Sequence, residues 1–166
     1  MATDTPDACR HAVLYQCFVR QHGPNGTLAD VTADIPRIAA LGATVLYLMP
    51  IHPIGEVDRK GPLGSPYAIR DFRAIDPALG TEDDFAALVA AADRHGLRVM
   101  LDVVFNHTAK DSALVQQHPE FFHRDSAGRP VSSVPAWSDI IDLRHEAAGL
   151  ADYLIDTLQG WVARGV

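Results

Sequence analysis

Arg98-Val99-Met100-Leu101-Asp102-Val103-Val104-Phe105 (RVMLDVVF), with Asn106-His107 directly after it, is the stretch on which the fold is decided. A short, nearly continuous apolar run of this kind marks a strand covered on both faces, as in a parallel sheet. Upstream, Thr81 with Asp84 three residues on is a capping box. Phe85, Leu88, Val89 and Ala92 then form one helical stripe, which stops at His95-Gly96. Further back, Thr44 to Met49 (TVLYLM) reads as a second buried strand ended by Pro50, with a long polar loop from about residue 50 to 80. Ala12 to Val19 (AVLYQCFV) reads as a first. A helix follows it from Thr27, with Leu28, Val31, Ile35, Ile38 and Ala39 at helical spacing, a stop at Gly42, and a kink or restart expected near Asp34 because of Pro36. Downstream of His107 a second long loop carries Pro119, Pro130 and Pro135. A last helix is predicted over Glu146 to Arg164, with Leu150, Leu154, Leu158 and Trp161 on its buried face.

The order is β-α-β-α-β-loop-α, which implies parallel pairing and an α/β class. Two architectures share it. A doubly wound nucleotide fold needs a Gly-rich turn after strand one whose amides hold phosphate. Here Arg20-Gln21-His22-Gly23-Pro24 follows, and Pro24 removes a needed donor. The eight-fold β/α barrel instead puts chemistry on long loops after its strands, where both long loops of this chain lie. A closed barrel takes about 250 residues. A chain of 166 with three strands and three helices is expected to be less than half of one.

The composition is that of an ordinary globular domain, 48 % hydrophobic and 21 % charged. Its 21 acidic residues outnumber 14 basic ones for a net charge of -7, with no basic run beyond Arg59-Lys60. That argues against nucleic acid or an anionic membrane as partner. No apolar run is long enough to span a bilayer, and residues 1–10 lack the apolar core of a signal peptide, so a cytoplasmic location is expected. Cys9 and Cys17 form no disulfide framework, and Cys17 reads as a small buried hydrophobe. Of the eight histidines, none shows metal-site spacing; His118 and His123 stand five apart in a Pro-broken segment.

Asp102 inside its apolar run must find a cation or several donors, because burying an unpaired carboxylate costs several kcal/mol. Asn106 and His107 sit where a barrel strand delivers functional groups. In Gly64-Ser65-Pro66-Tyr67-Ala68-Ile69-Arg70-Asp71-Phe72, Tyr67 offers a flat apolar face with a hydroxyl at its edge, suited to a sugar ring. Trp137 and Phe121-Phe122 in the second loop could extend an aromatic cleft, with loop-core packing the favoured reading for each.

These residues carry a resemblance to the alpha-amylase family of glycoside hydrolases. It runs through Leu41-Gly42-Ala43-Thr44-Val45-Leu46-Tyr47-Leu48-Met49-Pro50, Gly64-Ser65-Pro66-Tyr67 with Asp71, and Ile75-Asp76-Pro77-Ala78-Leu79-Gly80-Thr81. Asp102-Val103-Val104-Phe105-Asn106-His107 is similar to the family's first signature motif, and the resemblance covers about residues 12–164. It implies the N-terminal portion of a TIM (β/α)8 barrel. Residues 1–11 would form a tail and 12–166 a partial catalytic barrel, with a small loop insertion at about 106–144. It further implies that Tyr67 stacks on the sugar at the cleavage subsite and His107 hydrogen-bonds that sugar, with Asp102 and Asp71 as structural support. Asn106 matches a position that binds calcium in many members; no other cofactor is implied, and partner ligands are not identifiable in the sequence.

The implied substrate is an α-glucan or maltooligosaccharide, and the implied reaction is retaining hydrolysis of α-1,4 bonds. The alternatives are transglycosylation or isomerisation by the same double displacement, or a non-catalytic sugar-binding half-barrel. Retaining chemistry needs two carboxylates about 5 Å apart. The family's three catalytic carboxylates would lie on strands four, five and seven, past Gly165-Val166, and nothing supports Asp71 with Asp102 as substitutes. The 166 residues alone are therefore expected to be marginally stable and inactive.

Overall fold

The computed structural model describes residues 4–166, so the first three residues of the expected tail lie outside the described residues. The rest of the tail is not featureless: Asp7–Arg10 makes one helical turn, α1. The chain divides into two compact units. One is built from the described residues through Met49, Ala78–Asp102 and Gly165–Val166; the other from Pro50–Pro77 and Val103–Arg164.

The first unit is a three-stranded parallel sheet of β1 (Leu14–Cys17), β2 (Val45–Leu48) and β3 (Arg98–Leu101), in the order β1-β2-β3. Leu14, Val45 and Arg98 align across it, as do Cys17, Leu48 and Leu101. Helices α2 (Leu28–Ala40) and α3 (Glu82–Arg94) pack on one another. Both open with the same device: Thr27 and Thr81 each accept from the third residue of the helix, whose carboxylate accepts from the threonine's own N–H. Two of the four orphan donors of each helix start are thereby satisfied. The buried stripe of α2 is Leu28, Val31, Ile35 and Ile38; that of α3 is Phe85, Leu88, Ala91 and Ala92. The helix does not restart near Asp34, since α2 runs unbroken through Pro36. Pro36 lies on the exposed side, and the buried stripe continues past it on both sides, so packing holds the helix through the one missing bond.

Two strand expectations are corrected. Only the central strand is covered on both faces. Leu14 is 50 % exposed on β1 and Met100 42 % on β3, while Val45, Leu46 and Leu48 of β2 are buried. The outer strands have one neighbour each, so they alternate instead. Strand β3 also ends at Leu101 and does not reach Phe105. Its last ladder bond runs from Asp102 N to Leu48 O, and Pro50 just beyond on β2 has no N–H with which to continue. Cys17 is buried as expected, and burial pushes its thiol up to about 11, with the charge of Asp34 adding to the shift.

The second unit contains structure where two long loops were expected. Strands β4 (His107–Ala109) and β5 (Ile140–Asp142) pair antiparallel, joined by the short helix α4 (Leu114–Gln117) and a 3-10 turn at Pro119–Phe121. Helix α5 spans Leu150–Ala163 and not 146–164, because Gly149 at φ +85° and the tight turns before it break the run. Its buried stripe is Leu150, Leu154, Thr157 and Trp161; Leu158 is 46 % exposed. Trp161 donates its indole N–H to Phe72 O at 2.8 Å. Phe121 and Phe122 join Leu143, Leu150 and Leu154 in one core, so these two rings do pack as loop core. Among the described residues no helix is long and apolar enough to cross a membrane.

Replacing Thr81 with Ala removes both halves of the α3 capping box and is expected to lower unfolding free energy by about 1 kcal/mol, read from the midpoint of a urea titration at unchanged slope.

Candidate functional site

The site is built within the second unit by a chain of short pairings. Ile54 bridges Ile69, with Gly55 N donating to Ala68 O and Arg70 N to Pro53 O. Ala109 N then donates to Ile69 O, which ties β4 to the same segment. Gly55 is what lets them meet: a Cβ there would stand 2.3 Å from the Ala109 Cβ and 2.5 Å from Asp111 Oδ1. Its role is close approach, not an unusual backbone angle. Tyr67 and His107 are thereby brought together.

His107 Nε2 lies 3.1 Å from Tyr67 O, and its Nδ1 lies 3.2 Å from Asn106 Nδ2. A carbonyl only accepts, so Nε2 carries the proton and Nδ1 accepts from the Asn106 amide. Both ring nitrogens are committed within the chain. Burial lowers the His107 pKa from its ordinary value, while the Tyr67 carbonyl and the charges of Asp142 and Asp139 oppose the shift. A neutral ring of fixed tautomer results. A sugar hydroxyl that takes Nδ1 must first displace Asn106.

Around this pair lies a cleft of about 310 Å³ lined by Lys60, Ser65, Tyr67, His107, Trp137 and Asp139, among others. That volume is at the small end of ligand sites. Of the two readings of Trp137, loop-core packing, the favoured one, is corrected and the cleft reading fits: the side chain is 45 % exposed and lines the cleft, with its ring centroid 5.9 Å from that of His107. Asp139 is buried and paired to Lys60 at 3.1 Å. Asp142, across the ladder from His107, is also buried, and its Oδ2 accepts from Ser133 N and Oγ at 2.7 and 2.6 Å.

The other expected site residues fall elsewhere. Asp71 lines a separate hollow with Arg73, Gln117 and Tyr153, and its Oδ1 accepts from Arg73 N at 2.8 Å. Asp102 belongs to the sheet unit and is half-buried there. Asn106 is exposed and already donates to His107. Asp142 Oδ1, buried without a hydrogen-bond partner, follows in sequence just before Leu143, whose N–H donates to Asn106 O. These are hard oxygen donors of the kind calcium takes, but two side chains fill at most a third of six to eight positions. Among the described residues no three His, Cys, Asp or Glu gather around a metal-sized space. The side chains present do not amount to a calcium site.

Reading the sequence missed Lys60 and Asp139, which are far apart in the chain and carry no local signal. Asp142 was findable, since Ile140-Ile141-Asp142-Leu143 sets an acid in an apolar run just as Asp102 is set.

Parallel β/α units, with a cleft carried on the long connections after strands two and three, define the chain as part of a β/α barrel. The alpha amylase catalytic-domain model matches residues 5–129, and the chain belongs to that family. The crystal structure of an alpha-amylase from Lactobacillus plantarum superposes with a TM-score of 0.90 at 50 % identity, covering 92 % of this chain and 36 % of that one. A maltogenic alpha-amylase of Thermotoga neapolitana gives 0.86 at 39 % identity, with the same coverage of each chain. Alpha-1,4-glucan:maltose-1-phosphate maltosyltransferase 2 of Streptomyces coelicolor is 36 % identical over 94 % of this chain and 27 % of its own length. The chain thus spans about a quarter of the length of the curated relatives it matches. The three β/α units are an N-terminal portion of the TIM (β/α)8 barrel.

Two outcomes follow from this geometry. A proton NMR titration should place the His107 midpoint below 6.5, and Asn106→Asp should raise it, because a carboxylate at Nδ1 favours the protonated ring. Since the folded value lies below the unfolded one, the folded chain binds fewer protons in that window. The His107 contribution to stability is therefore present above about pH 6.5 and is lost as pH falls through the folded value. Gly55→Ala should push β4 from its neighbour and cost about 1–3 kcal/mol by overpacking, read as a lowered Tm with loss of the His107 shift.

Proposed function

We propose that the Tyr67–His107 cleft holds one glucosyl ring of an α-1,4-glucan, in an enzyme that transfers α-glucosyl chains to a sugar hydroxyl. The observation that carries the reading is that Tyr67 and His107 line one cleft, tied together by the 3.1 Å contact of His107 Nε2 with the Tyr67 backbone carbonyl. The phenol supplies an apolar face for the C–H side of a sugar, and the Asn106–His107 pair supplies polar groups at its edge. Transfer is favoured over hydrolysis by the maltosyltransferases, which match nearly the whole chain at 36 to 39 % identity in three bacteria. Transfer and hydrolysis share a double displacement and differ in whether a sugar hydroxyl or water takes the glycosyl group. Hydrolysis is the second reading, favoured by the 50 % identity to the Lactobacillus plantarum alpha-amylase.

The chain's part in this reaction is to hold the ring. Among the described residues lining the cleft the one carboxylate is Asp139, paired to Lys60, where retaining chemistry needs two carboxylates. Asp71 lies in another hollow.

Calorimetry of the 166-residue chain with maltotetraose should show saturable binding that Tyr67→Ala or His107→Ala abolishes and Tyr67→Phe retains, with no turnover. Absence of binding, or cleavage at enzyme-like rates, would overturn the holding role. The reaction type is read by mass spectrometry of the whole enzyme in oxygen-18 water, with maltose 1-phosphate or maltohexaose as donor. Lengthened acceptors free of the label are expected; labelled, shortened products would establish hydrolysis instead.

A further inference from the structure

We propose that Trp137 is a second stacking platform of this cleft, taking the next glucosyl ring of the same α-1,4-glucan, and that Lys60 is the residue that positions it. The inference rests on the sugar-holding reading above and extends it to a second ring. The chain has two tryptophans, and they are treated in opposite ways. Trp161 is buried with its N–H bonded to Phe72 O, which is a structural use. Trp137 keeps nearly half its surface in water, although burying an aromatic side chain would gain about 1.5–3 kcal/mol.

The exposure is not the looseness of a free loop. Lys60 Nζ donates to Ala136 O at 2.9 Å and pairs with the buried Asp139 at 3.1 Å, so one ammonium grips the backbone just before Trp137 and the side chain two residues after it. Trp137 N also donates to Val134 O at 2.9 Å, and Ser133 is fixed to Asp142. A loop clamped on both sides of a ring it leaves in water is preorganised surface, and preorganisation removes ordering cost from binding. The indole is tilted 54° from the His107 ring, so that contact does not consume its face by stacking. The cleft shared with Tyr67 gives the direction in which a neutral, apolar-faced ligand would extend. Its cation is committed to Asp139, which fits an uncharged sugar.

Because Trp161 is buried, acrylamide quenching of the 166-residue chain reports mainly on Trp137. Maltotetraose should protect that fluorescence, and Trp137→Ala should weaken maltotetraose binding by about tenfold with far-UV circular dichroism unchanged, while Trp137→Phe restores most of the affinity. Lys60→Gln should raise the quenching constant of the sugar-free chain and lower affinity, and Lys60→Arg should restore both. Binding by the wild type with unchanged quenching, and with Trp137→Ala as tight as wild type, overturns the platform and leaves the first ring's site standing. No maltotetraose binding at all removes both.

Discussion

The hydrogen bond from His107 Nε2 to the Tyr67 carbonyl joins residues forty positions apart, and both residues line the cleft. It fixes which nitrogen carries the proton, and so makes Nδ1 the acceptor that holds Asn106. Protonation would turn Nδ1 into a donor facing a donor, and the Asn106 amide would have to turn. Burial, which lowers the imidazole pKa, therefore preserves the whole arrangement at neutral pH. The bond in turn depends on β4 lying against the segment around Ile69, and that contact depends on the missing side chain of Gly55.

Structure legible in the sequence was structure decided locally. The Thr81–Asp84 box, the α2 stripe from Leu28 to Ile38 and the three parallel strands are all written in spacings of a few residues, and each is found. The family motif likewise placed Tyr67 and His107, which do share a cleft. What failed was non-local. Strands β4 and β5 are three residues each, separated by thirty residues, and neither has room for a period to show. Their apolar content read as loop because a strand that short is defined by its partner, not by its own sequence.

The same distinction explains the misjudged burial. An apolar run such as Ala12 to Val19 shows that a strand can be covered on both faces, not that it is. Coverage comes from neighbours, and only β2 has a strand on each side, so only it is buried as its composition suggests. Trp137 is the converse error. A large aromatic in a loop reads as packing by residue type, yet exposure is set by the Lys60 clamp on residues 136 and 139, a contact across 76 positions of sequence.

The charges of the cleft constrain what it can accept. Asp139, the acid that lines it, is buried and paired to Lys60. An anionic group entering beside Lys60, such as the phosphate of a sugar phosphate, would compete with Asp139 for the ammonium. Its gain would be offset by the cost of drawing the cation away from a buried carboxylate. A neutral glucosyl ring demands no such exchange. It asks for aromatic faces, which Tyr67 and Trp137 offer, and for His107 Nδ1 in exchange for the Asn106 amide, and it leaves the Lys60–Asp139 pair in place.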